Sequence, residues 1–115
     1  MVQIGGGGAI RLPLDAYATD EEIVITAGVP GLKPEDLEIT LEGDVLTIEG
    51  SLPEPLENVD YLFHERPRGK FHRSLTLNVP IKPEEAEATF DRGELRLILP
   101  KAEEAKPKVI RIKPE

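Results

Sequence analysis

The chain has 115 residues, of which 39% are hydrophobic, and it contains neither cysteine nor tryptophan. This length fits one domain with a small core, and the lack of cysteine excludes disulfides and zinc-thiolate sites. Fourteen basic and 22 acidic residues give a net charge of −8, which disfavours nucleic acid and anionic membranes as partners because both are negatively charged.

The first half of the chain shows the alternation of apolar and polar residues that is typical of half-buried strands. In one run, Leu37, Ile39 and Leu41 alternate with polar residues, and Gly43 follows at the first position of a two-residue hairpin loop. The glycine fits because that position requires a positive φ. The predicted strands cover residues 12–17, 22–29, 37–42 and 45–49, with a turn at residues 33–36.

A long connection, residues 51–69, separates the two halves and is rich in proline and glycine. Connections of this length usually have a function. Within it, residues 60–64 are predicted to form a short strand that displays Tyr61 and Phe63. Further strands are expected at residues 71–79, 86–90 and 95–99, with a turn at residues 91–93. Frequent turns between alternating runs predict an all-β sandwich.

Arg73 lies on the apolar face of its predicted strand, on the same side as Phe71 and Leu75. It either reaches past the sheet edge to solvent or pairs with an acidic residue. We favour the pair, in which loss of one partner would leave the other charge stranded.

The last segment, residues 102–115, consists of a charged spacer followed by Ile110 and Ile112. In an extended segment these two side chains project to the same side, and Pro107 and Pro114 disfavour a helix. The pattern predicts a docking peptide that adds to a groove on another surface. Folding back on its own domain is the alternative.

Other candidate sites are weaker. His64 and His72 have no third convergent ligand, so surface histidines are a simpler interpretation than a metal site. No glycine-rich phosphate loop and no nucleophilic arrangement is evident, which predicts a protein that is not an enzyme and needs no cofactor. Val2 and Ile4 repeat the tail's spacing and form a second candidate docking motif, although a simple linker explains them more easily. Residues 1–8 lack the features of a signal peptide, which favours a cytoplasmic protein.

Four segments resemble the alpha-crystallin domain of the small heat shock proteins. They are VPGLKPEDL at residues 29–37, GKFHRSL at residues 69–75, GxLxxxLPK at residues 93–101 and IxI at residues 110–112. Each is weak alone, but their order and spacing are specific. The resemblance divides the chain into a short glycine-rich arm, residues 1–10, an alpha-crystallin domain, residues 11–101, and a C-terminal extension, residues 102–115.

The resemblance implies an immunoglobulin-like antiparallel β-sandwich that forms homodimers and oligomers and holds unfolding proteins without ATP. The expected tail-accepting groove lies between two strands and contains Ile39, Leu41, Ala86, Ala88 and Phe90. At the expected dimer interface the long loop of one subunit adds to the first strand of the other, and the residues concerned are Leu12, Leu14, Ala16, Tyr61, Leu62, Phe63 and Arg73.

Two rival functions remain open at this stage. One is a co-chaperone adaptor of the related CS type, which recognises one folded partner. The other is a structural protein that uses the same domain for assembly without holding clients. The long loop and the isoleucine tail argue against the adaptor, because they belong to the self-assembling family. The arm before the domain is far shorter than the family usually carries, which leads us to expect smaller assemblies and weaker client capture.

Overall fold

The computed structural model describes residues 12–115, and the arm with Val2 and Ile4 lies outside the described residues. The described part contains seven strands and three short 3-10 helices. The strands are β1 Leu14–Ala18, β2 Glu22–Gly28, β3 Leu37–Glu42, β4 Val45–Leu52, β5 Gly69–Thr76, β6 Glu87–Asp91 and β7 Glu94–Pro100. The 3-10 helices are Pro34–Asp36, Pro83–Glu85 and Glu103–Ala105.

The strands form two antiparallel sheets, one of four strands in the order β1-β2-β7-β6 and one of three strands in the order β3-β4-β5. One continuous core joins the sheets, because alternate residues of each strand point inward. The predicted all-β, immunoglobulin-like antiparallel sandwich is confirmed. The four-stranded sheet contributes Ile23, Ile25, Ala27, Leu95, Leu97 and Leu99 to the core, and the three-stranded sheet contributes Leu46, Ile48 and Phe71.

Tight turns connect the hairpins in the way that the glycines predicted. Gly43 has a φ of +65° in the loop between β3 and β4. Arg92 and Gly93 both have positive φ, +52° and +78°, in the loop between β6 and β7. Two positive φ angles in a two-residue loop are typical of a turn whose twist matches that of the flanking strands.

Several predicted strands differ from the observed ones at their ends, and β4, for example, continues to Leu52 instead of ending at residue 49. β1 begins at Leu14 because Leu12 turns into the core, where it is 3% exposed, and Pro13 has no N–H to donate. β5 ends at Thr76, shortly before Asn78, whose φ of +60° is not compatible with a strand. β6 begins at Glu87, so that Ala86 ends the preceding 3-10 helix instead of starting the strand.

The predicted strand at residues 60–64 is absent from the described chain, which has no strand between Leu52 and Gly69. A strand needs a neighbour to satisfy its N–H and C=O groups. A single copy of this chain offers residues 60–64 no such neighbour. The segment is therefore irregular here.

Candidate protein-binding site

The two isoleucines of the tail lie in solvent. Ile110 is 88% exposed and Ile112 is 96% exposed, and the residues around them form no strand or helix. The alternative in which the tail folds back on its own domain is not what the structure shows. Their apolar surface is available to another molecule.

The segment before the tail is held by the domain. Backbone N–H groups of Lys101 and Ala102 donate to the carbonyl oxygens of Glu21 and Pro80, both at 2.9 Å. The 3-10 helix Glu103–Ala105 follows directly. The backbone is thus bonded to the domain up to this helix, and residues 107–115 are exposed.

Four charged side chains, Glu21, Lys82, Glu103 and Lys106, meet at this helix, and we call them the tail anchor. The Lys106 ammonium lies 3.0 Å from the Glu21 carboxylate and 3.2 Å from that of Glu103, while Lys82 Nζ lies 2.9 Å from Glu103 Oε1. Hydrogen bonds from Lys82 and Lys106 lower the pKa of the Glu103 carboxyl group. Hydrogen bonds to Glu21 and Glu103 raise the pKa of Lys106. Both shifts favour the charged forms at neutral pH.

The residues of the expected tail-accepting groove lie on two edge strands, β3 and β6, except for Ala86, which directly precedes β6. Ile39, Leu41 and Phe90 are half-buried and pack against the core, whereas Ala86 and Ala88 are exposed. Each strand pairs with one neighbour only, β3 with β4 and β6 with β7. These strands combine unpaired backbone edges with accessible apolar side chains, a combination suited to binding an extended peptide.

The residues of the expected dimer interface fall into two environments. Leu12 is buried in the core of its own chain, Leu14 is half-buried and Ala16 is exposed on β1. In the long loop, Leu62 and Phe63 are 90% and 82% exposed. β1 is an outermost strand, so its free edge is accessible to a second chain.

The long loop is organised around Tyr61. Its ring stacks on that of His64 with centroids 4.8 Å apart, and the Arg68 guanidinium lies 5.5 Å from the ring centroid. Its hydroxyl group accepts a hydrogen bond from the backbone N–H of Leu56 at 2.9 Å. These contacts hold an irregular segment in one shape and leave Leu62 and Phe63 projecting from it.

Arg73 connects the two sheets. Its guanidinium donates a hydrogen bond of 2.8 Å to the backbone carbonyl oxygen of Leu12, so it joins β5 to the residues that precede β1. No acidic side chain of the described residues forms an ion pair with it. Within one chain the expected acidic partner is thus replaced by a carbonyl oxygen, and a pair with a second chain stays a prediction.

Sequence analysis missed a pocket of about 340 Å³ between the start of the described chain and the end of the long loop. Leu12, Pro30, Pro53 and Phe71 give it apolar walls, and Arg66 and Arg68 lie at its border. It also missed the tail anchor. The spacing of Glu103 and Lys106 signals a local ion pair, but nothing in the sequence indicates that Glu21 and Lys82 lie nearby.

The described residues 12–115 give little support for a metal site or a membrane-spanning helix. His64 stacks on Tyr61 and His72 is exposed on β5. No group of three histidine, aspartate or glutamate side chains in this range is arranged to hold a metal ion. No helix in the same range is long and apolar enough to cross a membrane.

Comparisons with known proteins agree with this architecture. Residues 15–113 match the model of the Hsp20/alpha crystallin family. The chain is 37% identical over 101 residues to an 18 kDa antigen of Mycobacterium leprae (strain TN), an alignment that covers 88% of this chain and 68% of the antigen. It is 33% identical over 104 residues to the 18 kDa heat shock protein of Streptomyces albus G, with 88% and 72% covered.

A solved structure, heat shock protein 16.0 from Schizosaccharomyces pombe, superposes with a TM-score of 0.76 at 28% identity. This superposition covers 90% of this chain and 99% of that one. The family match, the relatives and the shared sandwich agree with the resemblance carried by the four sequence motifs. The chain therefore belongs to the Hsp20/alpha crystallin family of small heat shock proteins.

Proposed function

We propose that this chain is an ATP-independent holdase, which binds unfolding proteins, limits their aggregation and assembles from dimers through Ile110 and Ile112. Membership of the Hsp20/alpha crystallin family supports the chaperone role. The observation that carries the assembly mechanism is the exposure of both isoleucines, 88% and 96%, on a segment that follows a fixed helix. Two apolar side chains kept in water and aimed the same way are suited to binding elsewhere.

The dimer in this proposal forms when residues 60–64 of one copy add to the free edge of β1 in the other. Leu62 and Phe63 would then leave water, and Leu14 and Ala16 would lie at the contact. The missing strand at residues 60–64 supports this arrangement, because a partner edge supplies the hydrogen bonds that a single chain cannot. Arg73 would stand beside the contact through its bond to Leu12.

The tail of one dimer would enter the groove of another, beside Ile39, Leu41 and Phe90. Burying two isoleucine side chains contributes about 3 to 6 kcal/mol gross. Association costs at least about 4 kcal/mol in translational and rotational freedom. One tail would bind weakly, so several tails acting together would hold an oligomer whose subunits exchange.

Clients would bind to the exposed apolar loop and grooves of this scaffold. Binding of an unfolded chain slows its aggregation but does not by itself drive refolding. We place this activity in the cytoplasm, which agrees with a chain without cysteine. The net charge of −8 supports unfolding proteins and other copies of the chain as partners, and disfavours nucleic acid and membranes.

We divide the chain according to these roles into an arm, residues 1–10, a scaffold, residues 11–101, and an extension, residues 102–115. The sandwich supplies the dimer and the groove. The extension supplies the connection between dimers.

The test combines two measurements on the full chain and on a version that ends at Lys101. The first is heat-induced aggregation of an unrelated enzyme, which the full chain should suppress at substoichiometric to equimolar amounts. The second is solution mass by light scattering, which should show a multimer of dimers for the full chain and a dimer for the shorter one. Assembly without suppression would favour a structural protein, and suppression restricted to one partner would favour an adaptor.

A further inference from the structure

The last fixed point of the chain lies at Lys106. Its ammonium group bridges the carboxylates of Glu21 and Glu103, at 3.0 and 3.2 Å, and its side chain is only 21% exposed. The second cation of the tail anchor, Lys82, is 24% exposed and binds the same Glu103. The two lysine side chains are largely covered, whereas the carboxylates of Glu21 and Glu103 are 68% and 75% exposed, so these ion pairs lie at the surface and salt screens them.

We propose that Lys106 is a positioning residue for the tail, because its bridge to Glu21 and Glu103 fixes the turn from which residues 107–115 leave the domain. This inference rests on the proposed function, in which the tail docks on another subunit. Without the bridge, Glu103 is still bound by Lys82 at 2.9 Å, but Lys106 keeps no side-chain bond to the sandwich. The backbone N–H groups of Ala105 and Lys106 donate to Ala102 and Glu103, and neither bond ties the turn to the sandwich.

The ion pairs of Lys106 determine how far Ile110 can reach from the domain. With Lys106 held, Ile110 lies four residues beyond the fixed chain, which allows a reach of about 14 Å. With Lys106 released, the last residue bonded to the sandwich is Glu103, through Lys82, and a tether of seven residues reaches about 25 Å. Lengthening a flexible tether in this proportion lowers the effective concentration of its end about twofold. Because each oligomer uses several tails, a twofold loss for each tail multiplies.

The chain offers matched variants for this test. Lys106→Gln removes the bridging charge, and Lys108→Gln removes the same charge two residues further along, in the fully accessible part of the tail. Lys106→Arg keeps the charge and should restore the bridge. A role that depends on the ion pair is rescued by arginine, whereas a role that depends on the shape of lysine is not.

Two readouts separate the anchor from the assembly. The first is the protein concentration at which oligomers are half dissociated, measured by light scattering. The second is the mobility of a nitroxide attached through Glu104→Cys, which is unambiguous because the chain has no other cysteine. Glu104 lies on the anchored turn and takes no part in its ion pairs.

Lys106→Gln should raise the half-dissociation concentration about twofold or more and increase nitroxide mobility, while Lys108→Gln and Lys106→Arg remain close to the parent protein. Equal effects of Lys106→Gln and Lys108→Gln on either readout would overturn the proposal, as would a mobile nitroxide with unchanged dissociation. If the parent protein stays dimeric at every concentration, the proposed assembly fails. The anchor is then decided by the nitroxide alone, and unchanged mobility in Lys106→Gln overturns it.

Discussion

The long loop at residues 53–68 and the tail at residues 107–115 are both irregular and both expose large apolar side chains, yet only the loop is held in place. Tyr61 fixes the loop through a stacked ring, a cation and a hydrogen bond. The tail has no structure that holds Ile110 or Ile112 once the anchored turn ends. A segment without regular secondary structure is therefore not necessarily mobile.

The difference affects how each segment binds. Ordering one residue costs about 1 to 2 kcal/mol in backbone entropy. The tail would bear this cost for every residue that enters a groove, whereas the contacts of Tyr61 already restrict the loop, which would bear a smaller cost when it rearranges into a strand. We expect the loop to make the durable contact of the dimer and the tail to make the exchangeable contact between dimers.

The sharpest way to break this comparison is to remove the apolar groups of the tail. The double variant Ile110→Ser, Ile112→Ser should dissociate oligomers completely to dimers, because it removes the two apolar side chains that the tail would bury in the groove. The melting temperature should stay the same, since both side chains are already exposed in the parent protein. Val109→Ser is the matched control because Val109 is 92% exposed but projects to the other side. A control as damaging as the double variant would refute the paired-isoleucine mechanism.

A second experiment tests the hydrogen bond from the Arg73 guanidinium to the backbone carbonyl oxygen of Leu12. Arg73→Gly leaves the Leu12 carbonyl oxygen without its donor and should lower the free energy of unfolding by about 1.5 to 3 kcal/mol, as expected for a hydrogen bond from a charged group. The dimer should weaken and the protein should aggregate more readily. The control is His72→Gly, which introduces glycine at the neighbouring position of β5 but removes an exposed side chain. Denaturant unfolding that does not distinguish the two variants would show that the guanidinium bond is unimportant.

The tip of the loop gives a smaller effect that falls on binding alone. Phe63→Ser should change the free energy of unfolding by no more than about 0.5 kcal/mol, because the ring is 82% exposed. It should raise the dimer dissociation constant about tenfold, if the ring is buried in the partner. Leu56→Ser is the control, as Leu56 is exposed in the same loop but outside the expected interface. Analytical ultracentrifugation of both variants decides whether the tip makes the dimer contact.

Removing the Tyr61 ring, which fixes the long loop, should make the loop as susceptible to proteolysis as the tail. Tyr61→Ala should destabilise the loop by about 1 kcal/mol through loss of its stacking and cation contacts. Limited proteolysis should then cut the loop as fast as the tail. Tyr61→Phe loses only the hydrogen bond from Leu56 and should remain more resistant. Unchanged cleavage of Tyr61→Ala would mean that other contacts hold the loop.

The smallest expected effect is the response of the tail anchor to acid. The pKa of Glu103 is lowered by its bonds to Lys82 and Lys106, so the stabilisation is present above the ordinary glutamate pKa and is lost as pH falls through the lowered one. Nitroxide mobility at Glu104→Cys should rise on acidification through this range. In Glu103→Gln it should be high already at neutral pH and respond less to acid. An equal acid response in both proteins would assign the change to general unfolding.

Local patterns predicted the sandwich well because strands and tight turns depend on neighbouring residues. The alternation of Leu37, Ile39 and Leu41 gave β3 its boundaries, and Gly43 marked the turn that follows. The exposure of the tail was predicted in the same way, from two isoleucines with no core to enter. The four family motifs then predicted the family that the comparisons confirmed.

The remaining features depend on partners that sequence order does not bring together. Lys106 meets Glu21 only after β2 and β7 have paired, and Arg73 meets Leu12 only when the sheets have packed. The strand at residues 60–64 was wrong for one chain for a related reason, since its backbone has no neighbour there. Long-range contacts of this type can be identified only once the three-dimensional fold is known.

The open edges of the sheets also bear on self-association. An unpaired strand can accept an extended segment through its backbone, and another copy of the same strand is one such segment. β6 carries Glu87 and Asp91, so like charges lie close together when two of these edges approach each other in antiparallel register. This repulsion disfavours edge-to-edge stacking of identical copies and, with it, the growth of filaments.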